Sequence, residues 1–149
     1  MIASTERQPS AEQRLAELGI ALPPAPTPLG AYVGAVQVGN LLYLSGTLPM
    51  KGGVPQFLGR IGGELGIEDG RNATRLATLN TLALARKHLG SLDKVTRVVR
   101  LTVSLVTTPD FRDHAKVADG ASELLADVFG KEKADRKSTR LNSSHRTGS

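Results

Sequence analysis

Polar residues at two predicted strand ends and on one face of a third strand are the part of this sequence best suited to chemistry. A tyrosine begins the first strand, a Ser-Gly-Thr run follows the second, and an arginine alternates with two hydroxyl residues along the third. Alternate residues of a strand share a face, and such a polar face is either hydrated or buried in a cleft of an oligomer. In chain order these residues are Tyr32, Ser45, Gly46, Thr47, Arg100, Thr102 and Ser104.

Several other chemistries find no support in the residue types. The chain has no cysteine, which excludes disulfides, thiolate metal sites and cysteine nucleophiles. His88 and His114 have neither a second histidine four residues away nor a carboxylate at metal-ligand spacing. The glycines between 52 and 66 lack the spacing of a phosphate-binding loop, and no serine lies in a G-x-S-x-G turn. We therefore expect no metal and no organic cofactor.

The net charge of +5 raises the question of nucleic-acid binding. Residues 135–149 contain four basic residues and one acidic residue, so they contribute +3 of this excess. Aromatic residues make up 3% of the chain, too few for the stacking surfaces that bind single strands. No run approaches the roughly 18 apolar residues of a membrane span. We expect a small-molecule ligand and neither a nucleic-acid nor a membrane partner, with a basic arm for anionic surfaces as the alternative.

The last fifteen residues differ in composition from the rest of the chain. Residues 135–149 have one large apolar residue, Leu141, and no helical or strand periodicity, so their composition predicts disorder. The run D-R-K-S-T-R-L-N-S-S-H resembles the translation of a common DNA-sequencing adapter. We therefore predict an N-terminal helix and proline-rich connector at 1–30, one incomplete domain at 31–134, and an artefactual tail at 135–149.

Periodicity predicts an α+β domain. Helices and strands alternate in a way that places two helices on one face of a small mixed β-sheet, as a two-layer sandwich. A final strand should follow the second long helix, and the pattern shows none. The predicted elements are a helix at 11–18 capped by Ser10, a connector at 22–28, strands at 32–38 and 41–45 joined by Gly39-Asn40, a helix at 67–89, a strand at 94–106 and a helix at 111–129.

The same periodicity assigns faces to side chains. In the helix at 67–89, leucines fall on the inner face, and Thr74 and Thr78 fall on the outer face. In the strand at 94–106, Val99, Leu101, Val103 and Leu105 point toward the core.

Several short motifs together resemble the RidA/YjgF family of reactive-intermediate deaminases. The resemblance covers residues 31–130, and each motif alone is weak. The motifs are A-Y-V-G-A-V-Q-V-G-N at 31–40, S-G-T-L-P at 45–49, Asn80 within T-L-N-T-L, V-V-R-L-T-V at 98–103 and P-D-F at 109–111.

The resemblance implies a chorismate-mutase-like fold, a cytoplasmic homotrimer with sites in clefts between subunits, and no cofactor. The implied reaction is hydrolysis of 2-imino or enamino acids, such as 2-iminobutanoate and 2-iminopropanoate, to 2-keto acids and ammonia. Tyr32 would line the site and Gly46 would present main-chain groups to the substrate. Asp119 stands near the position of a family asparagine. The implied substrate-binding residues are Tyr32, Ser45, Gly46, Thr47, Arg100 and Asp119.

No catalytic residue is assigned within 1–134. The family's arginine after the second helix and its glutamate on the last strand would both lie beyond Ala134, and Arg136 belongs to the adapter-like run. We therefore expect the 149-residue chain to be inactive as a deaminase. The alternative is a non-catalytic family member that binds a small carboxylate metabolite. An older family label, endoribonuclease, is a third hypothesis.

Overall fold

The computed structural model describes residues 8–27, 30–31, 33–135 and 138–144. It confirms an α+β architecture, and no helix within these ranges is long and apolar enough to cross a membrane. In chain order the elements are α1 (Ala11–Glu17), β1 (Ala35–Val38), β2 (Leu41–Leu44), β3 (Met50–Lys51), β4 (Val54–Pro55), α2 (Ile67–Leu89), a 3-10 turn (Leu92–Lys94), β5 (Arg100–Val106), α3 (His114–Phe129), α4 (Lys131–Ala134) and β6 (Ser138–Ser144).

The N-terminal helix forms where its capping residues predict it. Ser10 and Gln13 make a capping box, in which the Ser10 hydroxyl accepts from the Gln13 N–H at 3.2 Å and the Gln13 side chain accepts from the Ser10 N–H at 2.8 Å. This arrangement satisfies two main-chain donors that a helix N-terminus otherwise leaves unpaired. α1 therefore begins as predicted, and it ends one residue before the predicted boundary.

β1 and β2 form the predicted hairpin. Val36 pairs with Tyr43 and Val38 pairs with Leu41, so Gly39 and Asn40 are the two turn residues. Gly39 has a φ of 58°, a left-handed conformation that the first central position of a type II′ turn requires. The hairpin prediction is confirmed, with strands shorter than the apolar runs suggest.

The sheet is divided more finely than the sequence predicts. β1 pairs with β2, β3 pairs with β4, and β5 pairs with β6, in three separate two-stranded sheets. β5 is also shorter than expected, because the 3-10 turn ends at Lys94 and residues 95–99 are not paired in a strand. Val99 thus precedes β5 and is 59% exposed, so its predicted core position is wrong.

The chain after α4 corrects two predictions. Ser138–Ser144 forms β6, which runs parallel to β5 from Arg100↔Ser138 to Val106↔Ser144. Disorder throughout 135–149 and the absence of a final strand are therefore wrong for these seven residues. A strand edge offers main-chain donors and acceptors to a neighbour of any composition, so apolar periodicity gives no signal for such pairing. The adapter origin of the run remains a prediction.

The crossing of α2 and α3 explains a third correction. Thr74 and Thr78 are buried rather than on the outer face of α2. The Thr74 hydroxyl donates to the Val117 carbonyl of α3 at 2.9 Å, and the Thr78 hydroxyl donates to the Thr74 carbonyl at 2.7 Å. A buried hydroxyl is tolerated when it is hydrogen-bonded. Threonine therefore lies between the two helices here.

The core consists of two clusters on the inner side of the strands, and Leu101 of β5 packs against both. The first cluster joins α1 to the C-terminal halves of α2 and α3. The second lies between β5 and the first half of α3. The buried side chains at their centres are Leu15, Leu82, Leu92, Leu124 and Val128 in the first, and Ile61, Val103, Leu105 and Val117 in the second.

We predict that Gly120→Ala destabilises the fold by about 2 to 3 kcal/mol, in the range of overpacked cores. A Cβ at Gly120 would overlap the Arg71 carbonyl oxygen and Thr74 Oγ1. The first atom belongs to a helix backbone and cannot rotate away. Urea unfolding measures the loss. Gly46→Ala is the control, because nothing lies within 4 Å of a Cβ there, and an equal loss in both variants would contradict the explanation.

Candidate functional site

The loop of residues 45–49 leaves β2 in a defined direction. The Ser45 N–H donates to the Gly34 carbonyl at 2.9 Å, which extends the hairpin pairing by one bond. Gly46 follows and is exposed. Its main-chain N–H makes no hydrogen bond to any other residue that the structure describes. This N–H is therefore available to a ligand.

Thr47 attaches the loop to α2 through its hydroxyl. Thr47 Oγ1 donates to the Ala77 carbonyl at 2.7 Å and lies 2.6 Å from Thr81 Oγ1. The Thr81 hydroxyl also lies 3.2 Å from the same Ala77 carbonyl. The three oxygens form a compact network that fixes the middle of the loop on the second half of the helix.

Asn80 attaches the end of the loop. Its side chain is 4% exposed, and Nδ2 donates to the carbonyls of Leu48 at 2.9 Å and Met50 at 3.0 Å. Both amide hydrogens are thus used on loop carbonyls, and the Leu48 carbonyl also accepts from the Met50 N–H at 2.8 Å. A buried polar group without a partner costs about 1 to 3 kcal/mol, so the buried Asn80 amide favours the loop conformation that supplies its acceptors.

The polar face of β5 lies outside the core as predicted. Arg100, Thr102 and Ser104 are exposed, whereas Val103 and Leu105 between them are buried. Within the described ranges, no hydrogen bond or ion pair joins the Arg100 side chain to the 45–49 loop. Within one chain, Arg100 is therefore not bonded directly to the loop.

Asp119 lies in a different place again. It is exposed on α3, close enough to Arg71 that its charge acts on that guanidinium. The pKa of Arg71 is raised first by the hydrogen bond to Glu123 and to a smaller extent by the charges of Glu68 and Asp119. The Arg71 side chain also donates to the Lys116 carbonyl at 2.9 Å. Asp119 thus belongs to the polar border between α2 and α3, and no contact joins it to the loop in the described structure.

The loop contributes no residue to either of two open depressions, of about 540 and 500 Å³, on the described surface. The first is beside α4 and the second is beside the proline-rich connector. Residues 45–49 carry hydroxyls, main-chain groups and no titratable side chain. Alone, this arrangement can bind and orient a polar ligand, but it has no group for proton transfer.

A comparison with models of protein families assigns the chain to one family. The family model described as "YjgF/chorismate mutase-like, putative endoribonuclease" matches residues 12–145. The chain belongs to this family. The predicted YjgF resemblance is therefore confirmed, and the match extends further toward both termini than the motifs at 31–130.

Individual relatives support the YjgF assignment. Protein TCP17 of Trypanosoma cruzi is 39% identical over 118 residues, which cover 79% of this chain and 74% of that protein. A crystal structure described as a putative endoribonuclease from Shewanella oneidensis MR-1 is similar with a TM-score of 0.87 and 31% identity, over 94% of this chain and 91% of that chain. The crystal structure of the protein Atu1372 from Agrobacterium tumefaciens, of unknown function, is similar with a TM-score of 0.80 and 32% identity. This similarity covers 93% of this chain and 84% of that chain. The chorismate-mutase-like fold is thus shared.

The sequence-predicted site residues fall into three groups in this YjgF fold. Ser45, Gly46 and Thr47 lie together in one anchored loop. Arg100 and Asp119 lie apart from it. Tyr32, like Arg136, lies outside the described residues.

Sequence reasoning missed Thr81 as an anchor of the loop and gave Asn80 no role. The signal was present, because Asn80 and Thr81 interrupt an apolar run between Leu79 and Leu82. A polar residue that interrupts a buried helix face needs a hydrogen-bond partner, and here the partners lie in the loop.

We predict that Asn80→Ala lowers the free energy of unfolding by about 2 kcal/mol, since it removes both side-chain hydrogen bonds from α2 to the loop and takes the Asn80 donor from the Met50 carbonyl. Amide hydrogen exchange at residues 45–50 should accelerate in the same variant. Asn72→Ala is the matched control, an exposed asparagine on the same helix, and should change stability by less than about 0.5 kcal/mol. Equal effects in both variants would exclude a special role for Asn80.

Proposed function

We propose that this YjgF family member acts in the hydrolysis of reactive 2-imino and enamino acids, of the 2-iminobutanoate and 2-iminopropanoate type. In this reaction water adds to C2 of the imine, the C–N bond breaks, and a 2-keto acid and ammonia leave. The observation that carries the proposal is the anchored loop, which presents an open main-chain N–H beside two hydroxyls in a family fold. The proposed location is the cytoplasm.

Such a loop suits the substrate chemically. A 2-imino acid carries a carboxylate next to its reacting carbon. The Gly46 N–H and the Ser45 hydroxyl can donate to carboxylate oxygens, and hydrogen bonds to a charged acceptor are the stronger kind. Thr47 is committed to α2 and acts by holding the loop in position.

We propose further that the site is completed between subunits of a homotrimer. Two observations support this: Arg100 and Asp119 lie away from the loop within one chain, and the hairpin exposes an apolar face. On that face Val38 is 62% exposed and Tyr43 is 59% exposed, next to Val36 and Leu41. Contiguous apolar surface of this kind marks interaction sites. Tyr32 is proposed to line the same cleft.

A non-catalytic metabolite-binding role is the second candidate. The observation that favours it is the absence of any titratable side chain from residues 45–49. A protein with this loop alone would bind a small carboxylate without activating water. We propose no nucleic-acid partner for either role.

We predict that the 149-residue chain binds 2-ketobutyrate but does not accelerate imine hydrolysis. A dehydratase would generate 2-iminobutanoate in situ, and ammonia release would be compared with the rate without the chain. Calorimetry would measure 2-ketobutyrate binding, and Gly46→Pro, which removes the main-chain N–H, should weaken it about threefold to tenfold. Ser122→Ala, on α3, should leave binding unchanged.

The outcomes of this experiment separate the candidates. Ammonia release well above the uncatalysed rate would show that this chain carries its own catalytic groups and would contradict the expected inactivity. Absence of 2-ketobutyrate binding would contradict the ligand class itself. Binding that survives in Gly46→Pro would move the site away from the loop.

We predict that Val38→Glu disrupts assembly, because it places a charge within the apolar hairpin face. Sedimentation velocity should show the unaltered chain at three times the mass of one subunit and the variant at a lower mass. Leu18→Glu is the control, since Leu18 is 50% exposed at the end of α1. A monomeric unaltered chain would contradict the homotrimer.

A further inference from the structure

We propose that Leu48 contacts the side chain of the bound 2-imino acid and makes the loop prefer substrates with longer apolar side chains. The proposal rests on the proposed function, because it takes the Gly46 N–H and the Ser45 hydroxyl as the groups that hold the substrate carboxylate. It goes beyond that function by assigning a selectivity among 2-imino acids to one residue.

Leu48 is an exposed apolar residue beside the polar part of the loop. Its side chain is 57% exposed, and it follows the open N–H of Gly46 by two positions. Two residues of extended chain span at most about 7 Å. The Leu48 side chain is therefore within reach of the aliphatic carbons of a small ligand whose carboxylate is bound at Gly46.

The inward side chains on either side of Gly46 determine which way Leu48 points. Leu44 packs against the first core cluster, and the Thr47 hydroxyl donates to the Ala77 carbonyl of α2. Successive side chains of an extended chain point in opposite directions, so Leu48 points away from α2, in agreement with its exposure. Gly46 and Leu48 are thus both exposed, on either side of a threonine that points toward the helix.

The main chain at Leu48 is held from two directions. Its carbonyl accepts from Asn80 Nδ2 at 2.9 Å and from the Met50 N–H at 2.8 Å. Pro49 follows, and a residue before proline favours extended conformations. A side chain on a fixed backbone has less freedom to lose on binding. Leu48 therefore offers a preorganised apolar surface to a ligand.

Leu48 is separate from the apolar face that is proposed for the homotrimer. That face is formed by Val36 and Val38 of β1 and by Leu41 and Tyr43 of β2, whereas Leu48 lies beyond the hairpin. The proposed assembly therefore does not require Leu48 to be covered by a neighbouring subunit.

The hydrophobic contact at Leu48 determines the expected selectivity. Removing apolar surface from water is favourable, and a fully buried methylene group strengthens binding about fourfold. Leu48 forms an open wall, because the loop contributes no residue to either surface depression. A methylene group against one wall is only partly covered, so we expect about a twofold gain in affinity per methylene.

The test measures the affinities of 2-keto acids, which keep the carboxylate and the side chain of the imino acids and are stable in water. Calorimetry with the 149-residue chain would give the dissociation constants of pyruvate, 2-ketobutyrate and 2-ketovalerate, and affinity should rise about twofold per methylene. 2-Ketoglutarate has the same carbon chain as 2-ketovalerate and a second carboxylate. It should bind more weakly than 2-ketovalerate, because contact with Leu48 would desolvate that charge.

Two leucine variants separate the contact from general effects on the surface. Leu48→Ala should remove most of the rise from pyruvate to 2-ketovalerate, while pyruvate binding stays within about twofold of the unaltered chain. Leu58→Ala is the matched control, because Leu58 is 76% exposed and lies outside the loop, and it should keep the full rise.

Leucine methyl resonances give a direct readout of the same contact. In a methyl-labelled chain, the resonances that are missing from the spectrum of Leu48→Ala belong to Leu48. They should shift on addition of 2-ketovalerate, and intermolecular nuclear Overhauser effects should join them to the terminal methyl group of this ligand. The resonances of Leu58, assigned in the same way, should not move.

The possible results distinguish this proposal from the function on which it rests. An unchanged rise in affinity in Leu48→Ala would overturn the proposal. Equal weakening of all three acids in that variant would overturn it as well, since Leu48 would then act on the loop and not on the ligand side chain. Absence of binding of every 2-keto acid to the unaltered chain would contradict the proposed function, and this selectivity with it.

Discussion

The fold around the site depends on one interaction, the pair of hydrogen bonds that the buried Asn80 amide donates to the segment after β2. Its two amide hydrogens reach the Leu48 and Met50 carbonyls, and the Leu48 carbonyl also accepts from the Met50 N–H. Together with the hydrogen bond from the Thr47 hydroxyl to the Ala77 carbonyl, these bonds hold the loop and the start of β3 against α2, while Gly46 stays exposed. α2 is therefore both a core helix and the support of the loop.

The sequence predicts best those features that local chemistry determines. The capping box at Ser10, the Gly39-Asn40 turn and the helix from Ile67 to Leu89 each follow from residues within a few positions. The Ser-Gly-Thr run is recognisable from its motif. Its attachment to α2 is not, because Thr47 and Thr81 are 34 positions apart. The polar pair Asn80-Thr81 in an apolar run indicates that these residues need partners, but it does not indicate which residues those partners are.

The errors in prediction share a physical origin in long-range packing. Thr74 is polar and falls on the outer face by periodicity, yet it is buried because Gly120 allows α3 to approach within hydrogen-bond distance. β6 pairs with β5 through its main chain, and amino-acid composition does not predict such pairing. In both cases a contact with a residue distant in sequence, rather than the local residue type, determines where the residue lies.

The division of the sheet into three two-stranded pieces bears on how the chain reaches its fold. A two-stranded ribbon is marginally stable in water by itself, so each piece must rely on the helices beneath it. α2 and α3 are built from contacts between near neighbours, which form quickly, whereas the pairing of β5 with β6 joins residues about forty positions apart and carries a larger loop-closure cost. The helical layer therefore supports all three ribbons, and loss of pairing in one ribbon breaks no strand pairing in the other two.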